Sequence, residues 1–276
     1  MIDIGKYIEL FVQWLMLHGR PVFDFIKDAG NGSIEGVEAV LLFVPFYIII
    51  ALFAVLAYFK VGKGMALFSV LGFVLIYLMG FWLETMETLA LIIVSTLTAL
   101  AIAIPLGIWA AKNVWANRVI RPVLDLMQTM PAFVYLIPAV LFFSIGKLPG
   151  AIATIIFAMP PAVRLTTFGI QQVPADLVEA ARAFGVTNRQ LLFKVELPLA
   201  MKTILNGVNQ TIMMALSMVV VAGMIAAGGL GEKVLEGINN LDIGLGFESG
   251  LAVVILAIIL DRVTQAFGKE PEGPKE

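Results

Sequence analysis

Residues 176–198, DLVEAARAFGVTNRQLLFKVELP, form a polar segment inside a largely apolar chain. Asp176 and, three residues later, Glu179 have the spacing of a capping box, in which two side chains bond the first free amides of a helix. This spacing predicts a short helix that begins near Leu177. Gly185 lies where a residue in the left-handed conformation would end that helix. The segment is therefore predicted to lie at the protein surface, outside the membrane.

The apolar residues of this short helix recur at i, i+3, i+4 and i+7, so they share one helix face. They are Leu177, Ala180, Ala181 and Phe184. Thr187 and Gln190 repeat the capping spacing and predict a second short helix. Pro198 then suits the first turn of a longer helix. The expected order is a helix, a glycine turn, a second short helix and a long apolar helix.

The composition of the whole chain is that of an integral membrane protein. Of its 276 residues, 60% are hydrophobic and only 14% are charged, and the mean hydropathy is +0.97. A soluble domain has about 25% charged residues. The chain contains no cysteine, which excludes disulfides and Cys-ligated metals, and its net charge of -2 gives no indication of nucleic-acid binding.

Seven apolar stretches are long enough, at about 20 residues, to cross a membrane as helices. They cover approximately residues 39–59, 65–82, 87–111, 120–145, 149–170, 198–227 and 248–267. We therefore expect an all-α membrane protein with about seven transmembrane helices. Residues 36–268 are expected to form the membrane domain, and residues 269–276 a terminal tail.

Residues 1–35 have a different pattern, in which polar side chains interrupt apolar residues at helical spacing. The apolar residues are Ile4, Tyr7, Ile8, Phe11 and Leu15. This pattern predicts an amphipathic helix, which either lies at the membrane interface or packs on the protein's own membrane domain. The sequence GNGS at 30–33 is expected to end this helical region.

The distribution of basic residues predicts how the chain crosses the membrane. If the amino terminus is outside, 13 of the 18 Lys and Arg residues fall on the inner side and five on the outer side. Cytoplasmic connections carry the excess of Lys and Arg in membrane proteins. We therefore expect the amino terminus outside, the carboxyl-terminal tail inside, and residues 171–198 in the cytoplasm.

Enzymatic functions have little support in the sequence. The chain contains no G-x-x-x-x-G-K-[ST] loop, and Gly62-Lys63-Gly64 lacks the spacing and the hydroxyl of such a loop, so we expect this chain not to bind ATP itself. The single histidine, His18, lies outside the predicted spans, and no cysteine accompanies it. We therefore expect no catalytic residues, no metal site and no cofactor in this chain.

The polar segment resembles a known motif. Glu179-Ala180-Ala181, Gly185, Val195 and Leu197-Pro198 match the EAA-x3-G-x9-I-x-L-P loop of the membrane subunits of binding-protein-dependent ABC importers, with Val in place of Ile at position 195. Further stretches resemble the glycine betaine/proline betaine permeases. They are VLDLMQTMPAFVYLIPAV (123–140), FAMPPAVRLT (157–166), QQVPADLVEAARAFG (171–185), ELPLA (196–200), GVNQTIMMALSMVVVAGMI (207–225) and AIILDRVTQ (257–265). The resemblance covers roughly residues 120–267.

The resemblance implies a type I ABC importer permease with the MetI-like fold, in the bacterial cell membrane. Such a subunit pairs as a homodimer, carries a cytoplasmic ATPase that binds ATP and Mg²⁺ on each copy, and receives its substrate from an extracytoplasmic binding protein. The implied substrates are glycine betaine, proline betaine and carnitine-type compounds. The motif assigns Glu179, Ala180, Ala181, Gly185, Leu197 and Pro198 to ATPase coupling, and we add Asp176 and Phe184, which lie on the same short helix.

Five residues within the apolar stretches are candidates for the translocation path. They are Gln128, Thr129, Pro131, Phe133 and Ser217. Pro131 removes one helical hydrogen bond and frees the carbonyl of Met127, and Phe133 offers an aromatic face to a quaternary ammonium. Polar groups at membrane depth face a cavity or a partner helix, so Gln128, Thr129 and Ser217 fit either path lining or helix–helix hydrogen bonding.

Two charged residues near the inner end of the fourth stretch, Arg121 and Asp125, lie one helical turn apart. Their spacing predicts either an ion pair between them or two anchors at the membrane interface. Neither interpretation assigns them to transport.

A secondary carrier for a similar solute, driven by an ion or proton gradient, is the alternative function. Such carriers commonly show inverted repeats and a charged residue near the middle of the membrane. The sequence shows no clear internal repeat, and its carboxylates cluster at the ends of the apolar stretches. These observations favour the ABC permease.

Overall fold

The computed structural model describes residues 4–267, and this part of the chain is helical without strands. In chain order its helices are α1 (Ile4–His18), α2 (Arg20–Phe43), α3 (Phe46–Lys60), α4 (Lys63–Leu78), α5 (Trp82–Lys112), α6 (Val114–Thr129), α7 (Ala132–Phe143), α8 (Lys147–Gln171), α9 (Ala175–Ala183), α10 (Asn188–Ala222), α11 (Gly229–Asn239) and α12 (Ile243–Phe267). One π-helical segment, Leu192–Glu196, lies within α10, and another, Gly223–Ala227, follows it. The predicted all-α class is confirmed, while the predicted tail at 269–276 lies outside the described residues.

Four helices are long and apolar enough to cross a membrane, namely α5, α8, α10 and α12. Helices α2 and α3, and likewise α6 and α7, meet this criterion only as pairs, and each pair is bent by 98°. Helix α4 is apolar but has only 16 residues. By length and composition there are four spans among the described residues, or up to six if each bent pair is one span. The count of seven therefore stays a prediction.

The first and fourth predicted stretches are wrong as continuous helices, because each contains a proline at which a helix ends. Pro45 precedes α3 and Pro131 precedes α7, and ψ is 138° at both prolines. The preceding residues, Val44 and Met130, are extended as well. A proline ring clashes with a preceding residue in the helical conformation, which favours this extended geometry. The chain therefore bends sharply at both sites.

The predicted helix end at residues 30–33 is also wrong, since α2 continues through this GNGS sequence. Gly30 packs so closely on α8 that an added Cβ would lie 2.4 Å from the Leu148 Cδ1 atom. The Ser33 hydroxyl donates to the carbonyl of Ala29 at 2.7 Å, within the helix. Packing on the bundle thus outweighs the weak helix propensity of glycine and asparagine. The predicted boundary between the amphipathic segment and the membrane domain falls inside α2.

A charged cluster also holds α2 to the bundle. Lys147, the first residue of α8, donates from Nζ to the carboxylates of Glu38 in α2 at 2.5 Å and Glu87 in α5 at 3.1 Å. The second Glu87 oxygen accepts from the N–H of Gly229, at the start of α11, at 2.9 Å. The three charged side chains are partly buried. Because the bonds of this cluster join α2, α5, α8 and α11, it helps to hold four helices together.

Helix α8 packs between α5 and α10 in the interior of the protein. Gly107 of α5 lies against Thr166 of α8, and Gly207 of α10 lies against Leu165 of α8. Small residues at such contacts allow helix backbones in membranes to approach closely. The close packing gives α8 and α10 a rigid relative position, and the polar segment at 171–198 connects these two helices.

Replacing Gly107 by alanine is expected to destabilise the bundle, because the added Cβ would lie 2.6 Å from Thr166 Cβ and 2.9 Å from the Val163 carbonyl oxygen. Overpacking of this kind costs about 1–3 kcal/mol. Because 1 kcal/mol shifts the melting temperature of domains of comparable size by about 2–4 °C, a thermal scan in detergent should detect the loss. The matched control is Gly36→Ala in α2, where nothing lies within 4 Å of the new Cβ. An equal melting temperature for the two variants would contradict the close packing.

Candidate functional site

The candidate coupling segment, residues 171–198, contains the short helix α9. This helix begins after Pro174, whose carbonyl accepts from the N–H of Leu177 at 3.1 Å. The predicted capping box of Asp176 and Glu179 is wrong, since no side chain caps this helix. Pro174 is the N-cap residue instead, and its carbonyl accepts from the N–H groups of Leu177 and Val178. Asp176 lies in the first turn, where a carboxylate favours the positive end of the helix dipole.

The predicted glycine turn is confirmed. Gly185 has φ +75°, and its N–H donates to the carbonyl of Arg182 at 2.9 Å. The N–H of Phe184 donates to the carbonyl of Ala180 at 3.2 Å. A Cβ on Gly185 would meet nothing within 4 Å, so the backbone conformation and not the available space requires glycine. A side chain costs about 1–2 kcal/mol in the left-handed conformation.

The capping box predicted for Thr187 and Gln190 is also confirmed. The N–H of Thr187 donates to the Gln190 carboxamide oxygen at 2.9 Å, and the N–H of Gln190 donates to the Thr187 hydroxyl at 3.3 Å. The helix that follows is not short, however, because α10 continues for 35 residues from Asn188. The coupling segment is therefore one short helix, one glycine turn and the first turns of a long helix.

The sequence predicted that Pro198 starts a new helix. In the structure it lies inside the long helix α10 instead. Proline lacks an N–H, so a regular α-helix would lose a hydrogen bond at this position. The π segment Leu192–Glu196 directly precedes it, and the N–H of Leu197 bonds the carbonyl of Leu192, five residues back. This wider turn keeps the chain helical up to the proline. Single π turns within α-helices frequently occur at functional sites.

The apolar face of α9 is exposed. Phe184 is 89% exposed and Leu177 is 46% exposed, while Ala180 is exposed and Ala181 is half-buried. A short surface helix with a free apolar face suits docking into a groove on another protein. The two alanines between the larger side chains let the surface of a partner approach the helix closely.

The base of the coupling segment is packed into the bundle. Ile170, near the end of α8, is buried with Ala200 and Ile204 of α10, and the half-buried Leu197 packs against them. Pro198 is exposed. Helix α9 is therefore carried on a fixed base, while its apolar face remains free.

Arg164 of α8 brings one candidate path residue into contact with another helix. Its Nη1 atom donates to Gln128 Oε1 at 2.5 Å, and its Nη2 atom donates to Asp125 Oδ1 at 2.6 Å, both in α6. Asp125 therefore pairs across helices and not with Arg121 of its own helix. Of the two predicted alternatives, the ion pair with Arg121 is wrong, and anchoring at the membrane interface stays a prediction. Sequence reasoning missed the role of Arg164, because its partners lie 36 and 39 residues away.

A cavity of about 440 Å³ opens beside this contact, between α5, α6 and α8. Asp125, Arg121, Asn117 and Thr167 supply polar side chains to its lining, and Phe168 supplies an aromatic one. Sites for small molecules have volumes of about 300–1,000 Å³ and combine apolar walls with a few polar groups. The cavity therefore has the size and the lining to hold a small solute.

The carbonyl predicted to lose its helical partner at Pro131 finds a side-chain partner. The Tyr135 hydroxyl donates to the Met127 carbonyl at 2.6 Å, across the bend between α6 and α7. The Thr129 hydroxyl donates to the Leu126 carbonyl of its own helix at 3.3 Å. Local hydrogen bonds thus stabilise the bend.

The remaining path candidates make no such contact with another helix. The Ser217 hydroxyl donates to the Met213 carbonyl of its own helix at 3.1 Å. Phe133 is 52% exposed at the start of α7. Helix–helix hydrogen bonding therefore applies to Gln128, while a role in the path stays a prediction for all five residues.

Comparisons with known proteins agree with these features. The family model described as binding-protein-dependent transport system inner membrane component matches residues 103–270. The chain is 50% identical to the glycine betaine/proline betaine transport system permease protein ProW of Escherichia coli (strain K12), over 98% of this chain and 76% of the relative. It is 48% identical to the glycine betaine transport system permease protein OpuAB of Bacillus subtilis (strain 168), over 96% and 94%. It is 50% identical to the glycine betaine/carnitine transport permease protein GbuB of Listeria monocytogenes serotype 1/2a (strain 10403S), over 99% and 98%.

A solved structure has the same fold. The inward-facing MetNI methionine ABC transporter contains a chain that aligns with a TM-score of 0.61 at 22% identity, over 66% of this chain and 91% of that chain. This likeness confirms the predicted MetI-like fold. The family match includes the whole coupling segment and both helices that it connects. The protein is thus a multi-pass transport subunit rather than an enzyme, and it belongs to the family of binding-protein-dependent transport system inner membrane components.

Proposed function

We propose that this chain is the membrane-spanning permease subunit of an ATP-driven ABC importer for compatible solutes of the betaine class. The observation that carries the proposal is the identity of about one half, over nearly the full chain, to three permeases whose names state glycine betaine transport. Glycine betaine, proline betaine and carnitine-type quaternary ammonium compounds are the proposed substrates. The chain forms the route across the membrane.

ATP hydrolysis is assigned to a separate cytoplasmic subunit, which binds ATP and Mg²⁺, because this chain has no phosphate-binding loop. The exposed apolar face of α9 is the docking element for that subunit, with Phe184 and Leu177 as the residues that enter its groove. Asp176 lies in the first turn of this docking helix, Glu179 lies on its polar face, and Gly185 forms the turn that follows its end. The chain has one such segment and no internal duplication, so a two-fold pore requires two copies of the chain and two ATPases.

The substrate is proposed to arrive from an extracytoplasmic binding protein, in keeping with the family to which the chain belongs. This assignment requires α9 on the cytoplasmic side and the amino terminus outside. The excess of basic residues on the α9 side of the membrane supports that orientation.

The route of the solute is proposed to run along the bend between α6 and α7. Gln128 and Thr129 lie at the end of α6, Pro131 marks the bend, and Phe133 lies in the first turn of α7 with an exposed ring. An aromatic face attracts a quaternary ammonium group, which is the chemical feature that betaines share. Ser217 of α10 is the proposed contribution from the opposite side of the path.

The source of energy tests the function directly. The chain alone in liposomes is expected neither to hydrolyse ATP nor to accumulate radiolabelled glycine betaine. Together with its ATPase and binding protein it should accumulate the solute only when ATP is hydrolysed, and a non-hydrolysable ATP analogue is the control. Uptake by the chain alone, driven by a sodium or proton gradient, would contradict the proposal and support the secondary carrier.

Thiol labelling tests the orientation, because the natural chain contains no cysteine. Asn188→Cys and Asn240→Cys place single thiols at exposed positions at the start of α10 and just after α11. An impermeant maleimide added to intact cells should label position 240 and leave position 188 unlabelled until the cells are opened. The reverse pattern would mean that α9 faces outwards.

Phe184→Ala tests the docking element. Loss of a central aromatic residue from an interface typically costs at least about 2 kcal/mol, so the affinity of the permease for the ATPase should fall by about 30-fold. The melting temperature of the permease should not change, because Phe184 is 89% exposed. The matched control is Phe43→Ala, which removes an equally exposed ring, at 90%, from the end of α2. Equal affinities for the two variants, measured by interferometry in detergent, would show that α9 is not the contact.

A further inference from the structure

Among the residues whose side chains the structure describes, Glu196 is the only charged residue that is buried. Only 4% of its surface is exposed. Its carboxylate pairs with the Nζ atom of Lys112, the last residue of α5. The Lys112 side chain is 39% exposed and the Glu196 side chain 6%. A buried carboxylate that loses its partner becomes an uncompensated charge, which is strongly unfavourable. The pair therefore fixes the end of α5 against the start of α10.

The position of Glu196 along the chain connects this pair to the coupling segment. Glu196 closes the π segment Leu192–Glu196 and directly precedes Leu197. Because a π turn contains more residues than an α turn, it changes the direction in which the following side chains point. Ile108 and Ala111 of α5 pack on the same apolar cluster as Leu192 and Leu197. The end of α5 thus holds the base of the coupling segment by apolar contact and by charge.

Lys112, the other member of the pair, is connected through α6 to the bend between α6 and α7. Lys112 is followed by Asn113, whose side-chain oxygen accepts from the N–H groups of Trp115 and Ala116 and so caps α6. The far end of α6 carries Asp125 and Gln128, which bond Arg164 of α8. Helix α6 runs from Val114 to Thr129 as one helix, with Pro122 inside it, so it connects the end of α5 to the bend.

We propose that the Lys112–Glu196 pair is the joint that transmits movement of the coupling segment to α6. This inference rests on the proposed function, because it requires an ATPase that moves α9. Lys112 and Glu196 belong neither to the five candidates for the solute route nor to the apolar face of α9, so we treat both as positioning residues. When the pair is broken, the ATPase still docks and hydrolyses ATP, but movement of α9 no longer moves the bend between α6 and α7.

The experiment compares variants in proteoliposomes that contain the permease, its ATPase and its binding protein. Glu196→Gln and Lys112→Met remove one charge each, Lys112→Arg keeps the charge, and the exchanged pair Lys112→Glu with Glu196→Lys restores attraction. The control is Lys233→Met, which breaks the exposed pair of Lys233 and Glu236 in α11. The measured quantity is the number of glycine betaine molecules taken up per ATP hydrolysed, beside the affinity for the ATPase.

Both single-charge variants should lower uptake per ATP by at least about fivefold, which is the lower end of typical coupling between two sites. Their affinity for the ATPase should stay within about twofold of that of the natural protein, whereas loss of the docking contact would lower it about 30-fold. Lys112→Arg and Lys233→Met should retain the natural ratio, and the exchanged pair should recover most of it. If the pair had only a structural role, the variants would yield less folded protein. The protein that does fold would then take up as much glycine betaine per ATP as the natural protein.

An unchanged ratio in both single-charge variants, or an equal loss in Lys112→Arg and Lys112→Met, would overturn the proposal. If Glu196→Gln does not insert, Lys112→Met and the exchanged pair decide the outcome, because Lys112 is the more exposed partner. Failure of the proposed function looks different. In that case the natural protein itself would show uptake that does not depend on ATP.

Discussion

The structure depends on one constraint, which is that a backbone amide or carbonyl at membrane depth must find its partner within the protein. The prolines of this chain show how the constraint acts. At Pro131 the helix ends, the chain bends by 98°, and the Tyr135 hydroxyl takes up the Met127 carbonyl. At Pro198 the preceding turn widens into a π segment, and the helix continues. The two prolines thus have opposite structural results: one ends a helix, and the other is accommodated within a helix by a wider turn.

The features that were predicted correctly from the sequence depend on residues within a few positions of one another. The positive φ of Gly185 follows from a helix that has to end next to it, and the capping box of Thr187 and Gln190 needs only those two residues in one turn. Class and approximate helix positions follow from long apolar runs in the same way. The prediction of a cap at Asp176 was nevertheless wrong, although it too depended on neighbouring residues. The spacing of Asp176 and Glu179 does not show that the helix begins earlier, after Pro174.

Features that depend on distant parts of the chain were not predictable from the pattern. Arg164 reaches Asp125 across 39 positions, and Lys112 reaches Glu196 across 84. No local pattern in the sequence connects the members of either pair. The continuation of α2 through residues 30–33 has the same origin, because a contact of Gly30 with Leu148 stabilises a helix that its own residues do not favour. These contacts become apparent only when the helices are packed together in the folded protein.

The coupling segment combines two properties that a single surface rarely has. Its tip leaves Phe184 exposed to water, although an exposed aromatic residue favours association with other molecules. Its base contains the ion pair of Lys112 and Glu196 and tightly packed apolar residues, so the base is fixed to the bundle. A flexible base would absorb a displacement of the tip, whereas packed helices move as rigid bodies between discrete arrangements. An exposed tip on a rigid base is therefore suited to carrying a displacement from a docked protein into the membrane, and a loop that served only to connect α8 and α10 would need neither property.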